Sequence, residues 1–443
     1  MTATWIVPGG EYRREVKEGR TLVVPGSFVP GESVPQGLGA VLAAPIKGFV
    51  DAATIIGFLF VMGGTFMVIQ KTGAITVSLR ELGLTFARKP HLQKYFIPAT
   101  MVLFALAGGV FGMCEETMPF VLIFIPLAIS LGYDSLVGTA IPFLGAAAGF
   151  AGSPFNPFTV GIAQHIAELP VYSGYQYRIV IWVISTASMI TFVMIHAARV
   201  RKDPASSPVF AIDQERRKTL QLADQSDEPF TLSHQLVLSC FLLAFVLLIY
   251  GVLRHGWYIT EIGALFMGLG LIAGPLGRLS LSQAADAFKE GARDMVGVAL
   301  IIGCASAILV VATDGKIIDA LLYGMATVIT KLHPIVASQA MFVAQGIINL
   351  FVHSGSGQAA LTMPVMAPLA DVVGISRQTA VLAFQFGEGW INPILPTSGV
   401  TMGVLGLAGI SWEKWFRWML PVQIYFFVVA LVLLIPPFLF GYR

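Results

Sequence analysis

Long apolar runs separated by short polar stretches dominate the chain. Residues 52–70, 179–198, 235–253, 259–276, 295–313 and 418–440 are each near the roughly 20 residues that cross a bilayer core, and predict transmembrane helices. Between them lie shorter apolar pieces that stop at helix breakers. Residues 95–111 end at Gly112-Met113-Cys114-Glu115-Glu116-Thr117, and 118–131 follow; neither piece is a comfortable span, so the pair predicts a re-entrant hairpin with its tip at 112–117. Residues 141–150 run into Gly152-Ser153-Pro154-Phe155-Asn156-Pro157 before an apolar run resumes at 158–167, which predicts a broken helix. The stretch 354–398 carries both features again: a run of small residues, Ser354-Gly355-Ser356-Gly357, predicts a second tip, and Asn392-Pro393 with Pro396 a second break. Proline lacks the donor a helix needs and pushes its predecessor out of the helical region. Lipid cannot satisfy irregular backbone, so these four segments must be buried in protein or line a watery cavity.

Basic residues orient the segments. Lys71, Arg80, Arg88, Lys89 and Lys94 cluster in 71–94, and Arg199, Arg201, Lys202, Arg216, Arg217 and Lys218 in 199–234. The positive-inside rule puts both loops in the cytoplasm, the second as a flexible linker. The first hairpin then enters from the cytoplasm and the second from outside. Sliding the chain along itself by 242 residues, the distance from Pro154 to Pro396, aligns both tips and both breaks. It also pairs Pro126-Leu127-Ala128 with Pro368-Leu369-Ala370 and Gly145 with Gly387. Oppositely oriented copies with interrupted helices mark a secondary transporter with a midplane site. The expected fold is an all-α polytopic membrane protein of two inverted-topology repeats, each with a re-entrant helical hairpin and a broken transmembrane helix. Residues 1–45 are read as the end of a truncated first helix, an external loop and an interfacial helix. Residues 46–200 form repeat 1, 201–277 a cytoplasmic linker plus two connecting spans, and 278–443 inverted repeat 2.

Composition agrees. A chain of 443 residues, 56% hydrophobic and 12% charged, is no soluble domain. A net charge of +2 gives no reason to expect nucleic acid. Cys114, Cys240 and Cys304 sit in separate apolar segments without a C-x-x-C pair, so neither a disulfide framework nor a metal site is expected. No nucleotide-binding or hydrolase motif occurs, which argues against an ATP-driven pump and an intramembrane enzyme alike. The expected partners are the bilayer and a small solute, with H+ or Na+ as the candidate coupling ion and no other cofactor.

Glu115 and Glu116 at the first tip, and Glu388 before the second break, are the carboxylates that matter, because an intramembrane charge costs about 2.5–3.5 kcal/mol on insertion scales and faces a cavity or a partner. They suit an ammonium group or a coupling cation; the plain alternative is a solvated rim or a helix-end contact. Gln345, Asn349 and His353 fall at i, i+4 and i+8, one polar stripe leading to the second tip. They are candidate pathway residues, with interhelical hydrogen bonding as the alternative. Ser153, Asn156, Ser354, Ser356, Gln358, Asn392, Thr397 and Ser398 add neutral hydroxyls and amides beside exposed backbone dipoles, for substrate binding or for capping the broken helices.

The motifs FGMCEETMP, LGYDS, SGSGQAALTMPVMAPLADVVGISRQ and FQFGEGWINPILPTS resemble the YfcC family, within the DcuC-type carriers of the ion transporter superfamily. The resemblance runs through the whole chain from Thr4-Trp5-Ile6-Val7-Pro8. It implies inverted repeats whose tips and breaks meet around the substrate, a bacterial cytoplasmic membrane location, and basic amino acids or C4-dicarboxylates as solutes; related folds are often homodimers. Two departures stand out. Relatives carry a full hydrophobic helix before this start, and sodium-coupled members carry Ser-Asn-Thr at tips where this chain does not. The combined expectation is an alternating-access antiporter or cation-coupled carrier of basic amino acids, with a C4-dicarboxylate carrier as runner-up and a passive channel as the other class.

Overall fold

The computed structural model describes residues 2–17, 20–24, 26–75, 77–78, 90–224, 230–255, 257 and 259–442. After a short helix, α1 (Ala3–Ile6), two antiparallel strand pairs form: β1 (Gly10–Glu11) with β4 (Val29–Pro30), and β2 (Arg14–Lys17) with β3 (Arg20–Val23). Everything else regular is helical. Among the described residues, five helices are long and apolar enough to cross a membrane, or six if Leu281–Asp294 and Ala299–Asp314, bent by 41°, count as one span. The molecule is a polytopic all-α membrane protein.

In chain order come α2 (Leu38–Asp51), α3 (Ala53–Lys71), α4 (Pro90–Phe111), α5 (Met118–Ser130), α6 (Ser135–Ala151), α7 (Ile162–Ile166) and α8 (Tyr175–Lys202). Then follow α9 (Phe210–Asp224), α10 (Leu232–His255), α11 (Ile259–Leu276), α12 (Leu281–Asp294) and α13 (Val296–Asp314). The remainder is α14 (Ile317–Ile329), α15 (Pro334–Asn349), α16 (Gly355–Val373), α17 (Arg377–Gly389), α18 (Gly399–Ala408), α19 (Trp412–Leu433) and α20 (Pro436–Leu439). The 242-residue offset carries the start of α6, Ser135, onto the start of α17, Arg377, and the turn beginning at Pro157 onto the start of α18, Gly399. In the packing, α2 lies on α13, and α3 on α12. Glycines make these contacts close. A Cβ on Gly48 would lie 2.3 Å from the Gly303 carbonyl, and one on Gly291 2.1 Å from that of Gly63.

Helix breakers act where chain chemistry places them. Gly112 takes φ +74°, which favours glycine, and ends α4; a single 3-10 turn at Glu115–Thr117 then leads into α5. Between α6 and α7 the chain is non-helical from Gly152 to Asn156 and makes one wide π turn at Pro157–Gly161. Between α17 and α18, Trp390 to Ser398 holds only the 3-10 turn Asn392–Ile394.

Two expectations need correction. The residues Ser354-Gly355-Ser356-Gly357 are not a tip but a helix start: Ser354 is the N-cap of α16, its Oγ accepting from Gly357 N, and the irregular backbone lies just upstream at 351–354. Small residues fit an N-cap and first turn as readily as a loop. Nor is 199–234 simply a flexible linker. Helix α9 docks on the bundle: Asp213 accepts from Ser135 N at 2.8 Å, Arg217 donates to the Tyr133 carbonyl at 3.0 Å, and Arg216 donates to the Ala408 carbonyl at 2.5 Å. Its charges cap the ends of α6 and α18, and burial pushes the Asp213 carboxyl above its ordinary range. Nearby Asp134, 1% exposed, binds Val137 N, Ser207 Oγ and His196 Nε2. The basic residues Arg80, Arg88 and Lys89 lie outside the described residues.

Candidate functional site

The four irregular segments converge. A Cβ on Gly355, in the first turn of α16, would stand 2.6 Å from Thr159 Cγ2 in the first break and 3.4 Å from Glu388 Oε1. A Cβ on Gly112, at the first tip, would stand 2.8 Å from Asn156 Oδ1. Cys114 of that tip lines one small cavity with Glu388 of α17, Asn392 of the second break and Val400 of α18. The cavity measures about 20 Å³, room for one water, where a ligand pocket takes roughly 300–1,000 Å³. This conformation is closed around the site. A separate cavity of about 420 Å³, lined by Met67, Ile125, Asp294 and Arg216 among others, includes no tip or break residue in its wall.

Glu388 is the central group. It is 1% exposed; Oε1 accepts from Asn392 Nδ2 at 3.4 Å and Oε2 has no partner. The same Asn392 amide donates to the His353 carbonyl at 3.3 Å, tying the second break to the turn before α16. Glu116, 5% exposed, folds back on its own tip and accepts from Cys114 N at 2.9 Å; Glu115 is half-buried beside it. Buried polar atoms without a hydrogen-bond partner gather here: Asn156 Nδ2, Thr159 Oγ1, Asn349 Oδ1, His353 Nε2, Glu388 Oε2 and Thr397 Oγ1. These are half of all such atoms among the described residues, on segments adjoining one another. Buried polar groups are ordinarily paired, so a cluster of orphans marks a place where something polar is meant to bind.

Other candidates do plainer work. Gln345, Asn349 and Gln358 are hydrogen-bonded to one another. Gln358 Nε2 donates to Gln345 Oε1 and its carbonyl, Asn349 Nδ2 to Gln358 Oε1, and Gln345 Nε2 to Thr362 Oγ1. They staple α15 to α16. Ser153 Oγ binds the Gly109 carbonyl and the Asn156 N–H, fastening the first break to α4. Asn156 Oδ1 caps the π turn, and Ser398 caps α18. Ser354 is exposed and Ser356 half-buried, their hydroxyl oxygens 3.2 Å apart.

Sequence reasoning missed Arg178. It is 0% exposed, one turn into α8, and its guanidinium donates to Gln385 Oε1 and, at 3.5 Å, to Gln378 Oε1. Gln385 Nε2 in turn donates to the Ser153 carbonyl of the first break and to that of Phe150 at the end of α6. Gln164 and Ser173 extend this network through Gln378. An arginine at a span end reads as an interfacial anchor; the available signal was the pair Gln378 and Gln385, two turns apart on one helix.

Broken helices meeting around a buried, half-satisfied carboxylate define a membrane carrier. The whole chain matches the DcuC family, described as C4-dicarboxylate anaerobic carrier, over residues 1–438, and it belongs to that family. It is 36% identical over 484 residues, covering 100% of this chain and 94% of the relative, to the "Putative basic amino acid antiporter YfcC" of Escherichia coli. An uncharacterized protein of Haemophilus influenzae is 30% identical, covering 94% of this chain and 81% of that one. Two solved structures align along nearly all of the chain: the Alcanivorax borkumensis YdaH transporter (16% identity, TM-score 0.42, 96% of this chain and 92% of that one) and Neisseria gonorrhoeae MtrF (17%, 0.38, 98% and 91%). The protein is a multi-pass transporter of the bacterial inner membrane.

Proposed function

We propose that this carrier works by alternating access and exchanges basic amino acids of the arginine and ornithine type. One observation supports the reading above others. Glu388 is a buried carboxylate with one oxygen free of partners, and among the described residues no basic side chain pairs with it. An ammonium or guanidinium group is what such a site lacks, since a buried charge is stable only when paired. Glu115 and Glu116, at the opposite tip, make the same surroundings more attractive to a cation and are the natural seat of a coupling H+ or Na+. The opposed orientation of the two repeats belongs to this proposal, because it lets the same carboxylates face either side in turn. Moving one net charge through 100 mV is worth about 2.3 kcal/mol, so exchange of arginine for ornithine is electroneutral and blind to voltage. The name of the Escherichia coli relative, "Putative basic amino acid antiporter YfcC", points the same way.

The test is counterflow in proteoliposomes. Labelled arginine should accumulate when arginine, ornithine or lysine is trapped inside, and Glu388→Gln should abolish it while purifying and inserting normally. Counterflow with succinate or fumarate alone would replace this reading with a dicarboxylate carrier. Conduction without saturation or counterflow would make the protein a channel.

A further inference from the structure

We propose that Arg178 is the anion-binding residue of the transport site, and that its guanidinium receives the carboxylate of the transported solute. The proposal deepens the reading above and rests on it for the choice of solutes. Arg178 is wholly buried, yet among the described residues no carboxylate pairs with it. Its partners are neutral: the side-chain carbonyls of Gln385 and Gln378 and the Tyr442 hydroxyl, while Nε has none. A guanidinium is a rigid fork shaped for two carboxylate oxygens. Holding one buried on neutral acceptors is costly, and is relieved when an anion arrives.

Its position fits that role. Gln385 is shared: its Oε1 accepts from Arg178 while its Nε2 donates to the Ser153 carbonyl of the first break and to that of Phe150 at the end of α6. One amide therefore stands between the guanidinium and the irregular backbone of the site. On α17, Gln385 and Glu388 are three residues apart, so they are neighbours on one face, roughly 5–6 Å between Cβ atoms. A swing of Gln385 would put a positive and a negative receptor beside each other. That arrangement suits a solute carrying both a carboxylate and a cationic group, and discriminates against one carrying the cation alone. The side leading to the surface is neutral and polar: Gln378 Nε2 donates to Ser173 Oγ, and Gln164 Nε2 to Gln378 Oε1. Above it Arg377 bridges Glu168 and Asp371, at 2.8 Å each.

The competing role is a structural one, in which Arg178 merely ties α8 to α17. Binding to purified protein separates the two, using arginine and agmatine, ornithine and putrescine, and succinate as probes. Each amine lacks only the carboxylate of its amino acid. Wild type should prefer arginine to agmatine by at least about 30-fold, the size of one desolvated charge pair. Arg178→Gln should erase that preference by weakening arginine alone, with agmatine bound as before, which also shows the variant is folded. Arg178→Lys should restore part of it. Equal loss for both ligands, with a lowered melting temperature, or equal retention, overturns the proposal. A wild type that binds succinate but not arginine, and loses succinate in Arg178→Gln, retires the basic amino-acid reading and leaves the anion site standing. A wild type that binds none of the carboxylates overturns both.

Discussion

Gly355 offers the sharpest check on how the second hairpin meets the first break. A methyl group there would sit 2.6 Å from Thr159 Cγ2, about an ångström inside ordinary contact, and 3.4 Å from Glu388 Oε1. Helix propensity favours alanine over glycine by about 1 kcal/mol, so Gly355→Ala alone in a helix would stabilise. Overpacking of a filled interior costs about 1–3 kcal/mol and should exceed that gain, because Thr159 is 0% exposed and held in the π turn. The single variant should therefore lower the melting temperature and slow counterflow. Thr159→Ser removes only the methyl that the new group strikes and keeps the hydroxyl; alone it should cost about 1 kcal/mol. The double variant should be more stable than the sum of the singles by about 1–2 kcal/mol, a coupling two side chains in contact can show. The assay is thermal unfolding of purified protein across the four variants, with arginine counterflow in parallel. Additive effects would mean that the start of α16 and the first break are not neighbours, and the site described here would lose one wall.

Two further outcomes follow from the buried polar network. Asp134→Ala strips partners from Val137 N, Ser207 Oγ and His196 Nε2 at once; a loss of about 3–5 kcal/mol is expected, seen as a depressed melting temperature and poor yield without altered substrate preference. Gln345→Leu leaves Gln358 Nε2 without its side-chain acceptor and should cost about 1–3 kcal/mol in stability while the order of preferred solutes is unchanged. A selective change in KM for one solute would return Gln345 to the transport pathway.

The frame was legible because bilayer physics leaves few options. Apolar runs of span length, and Pro and Gly between them, located the breaks at Ser153–Asn156 and Asn392–Ser398 within a residue or two. The details that local chemistry left open share one cause: polar side chains are met along the chain without their tertiary partners. Ser354 and Gly355 look like a loop but start a helix, because a serine N-cap and a loop residue have the same local chemistry. Gln345 and Gln358 are thirteen residues apart, and nothing along the chain shows that their amides complement each other. Asp213 and Arg216 look solvated until α9 finds the bare ends of α6 and α18. Arg178 was passed over because span-end arginines usually reach for water, whereas this one turns inward to Gln385.

Cys114 supplies the most direct measurement, since it lines the cavity that holds Glu388 and Asn392. With Cys240 and Cys304 replaced by alanine, Cys114 is the only thiol in the chain, and a membrane-impermeant thiol reagent can be added to right-side-out or inside-out vesicles. The central claim is one pocket opened to each side in turn. It predicts labelling from both faces, each slowed by arginine on that face and altered by solute on the other. Labelling from a single face, indifferent to arginine on either side, would contradict it.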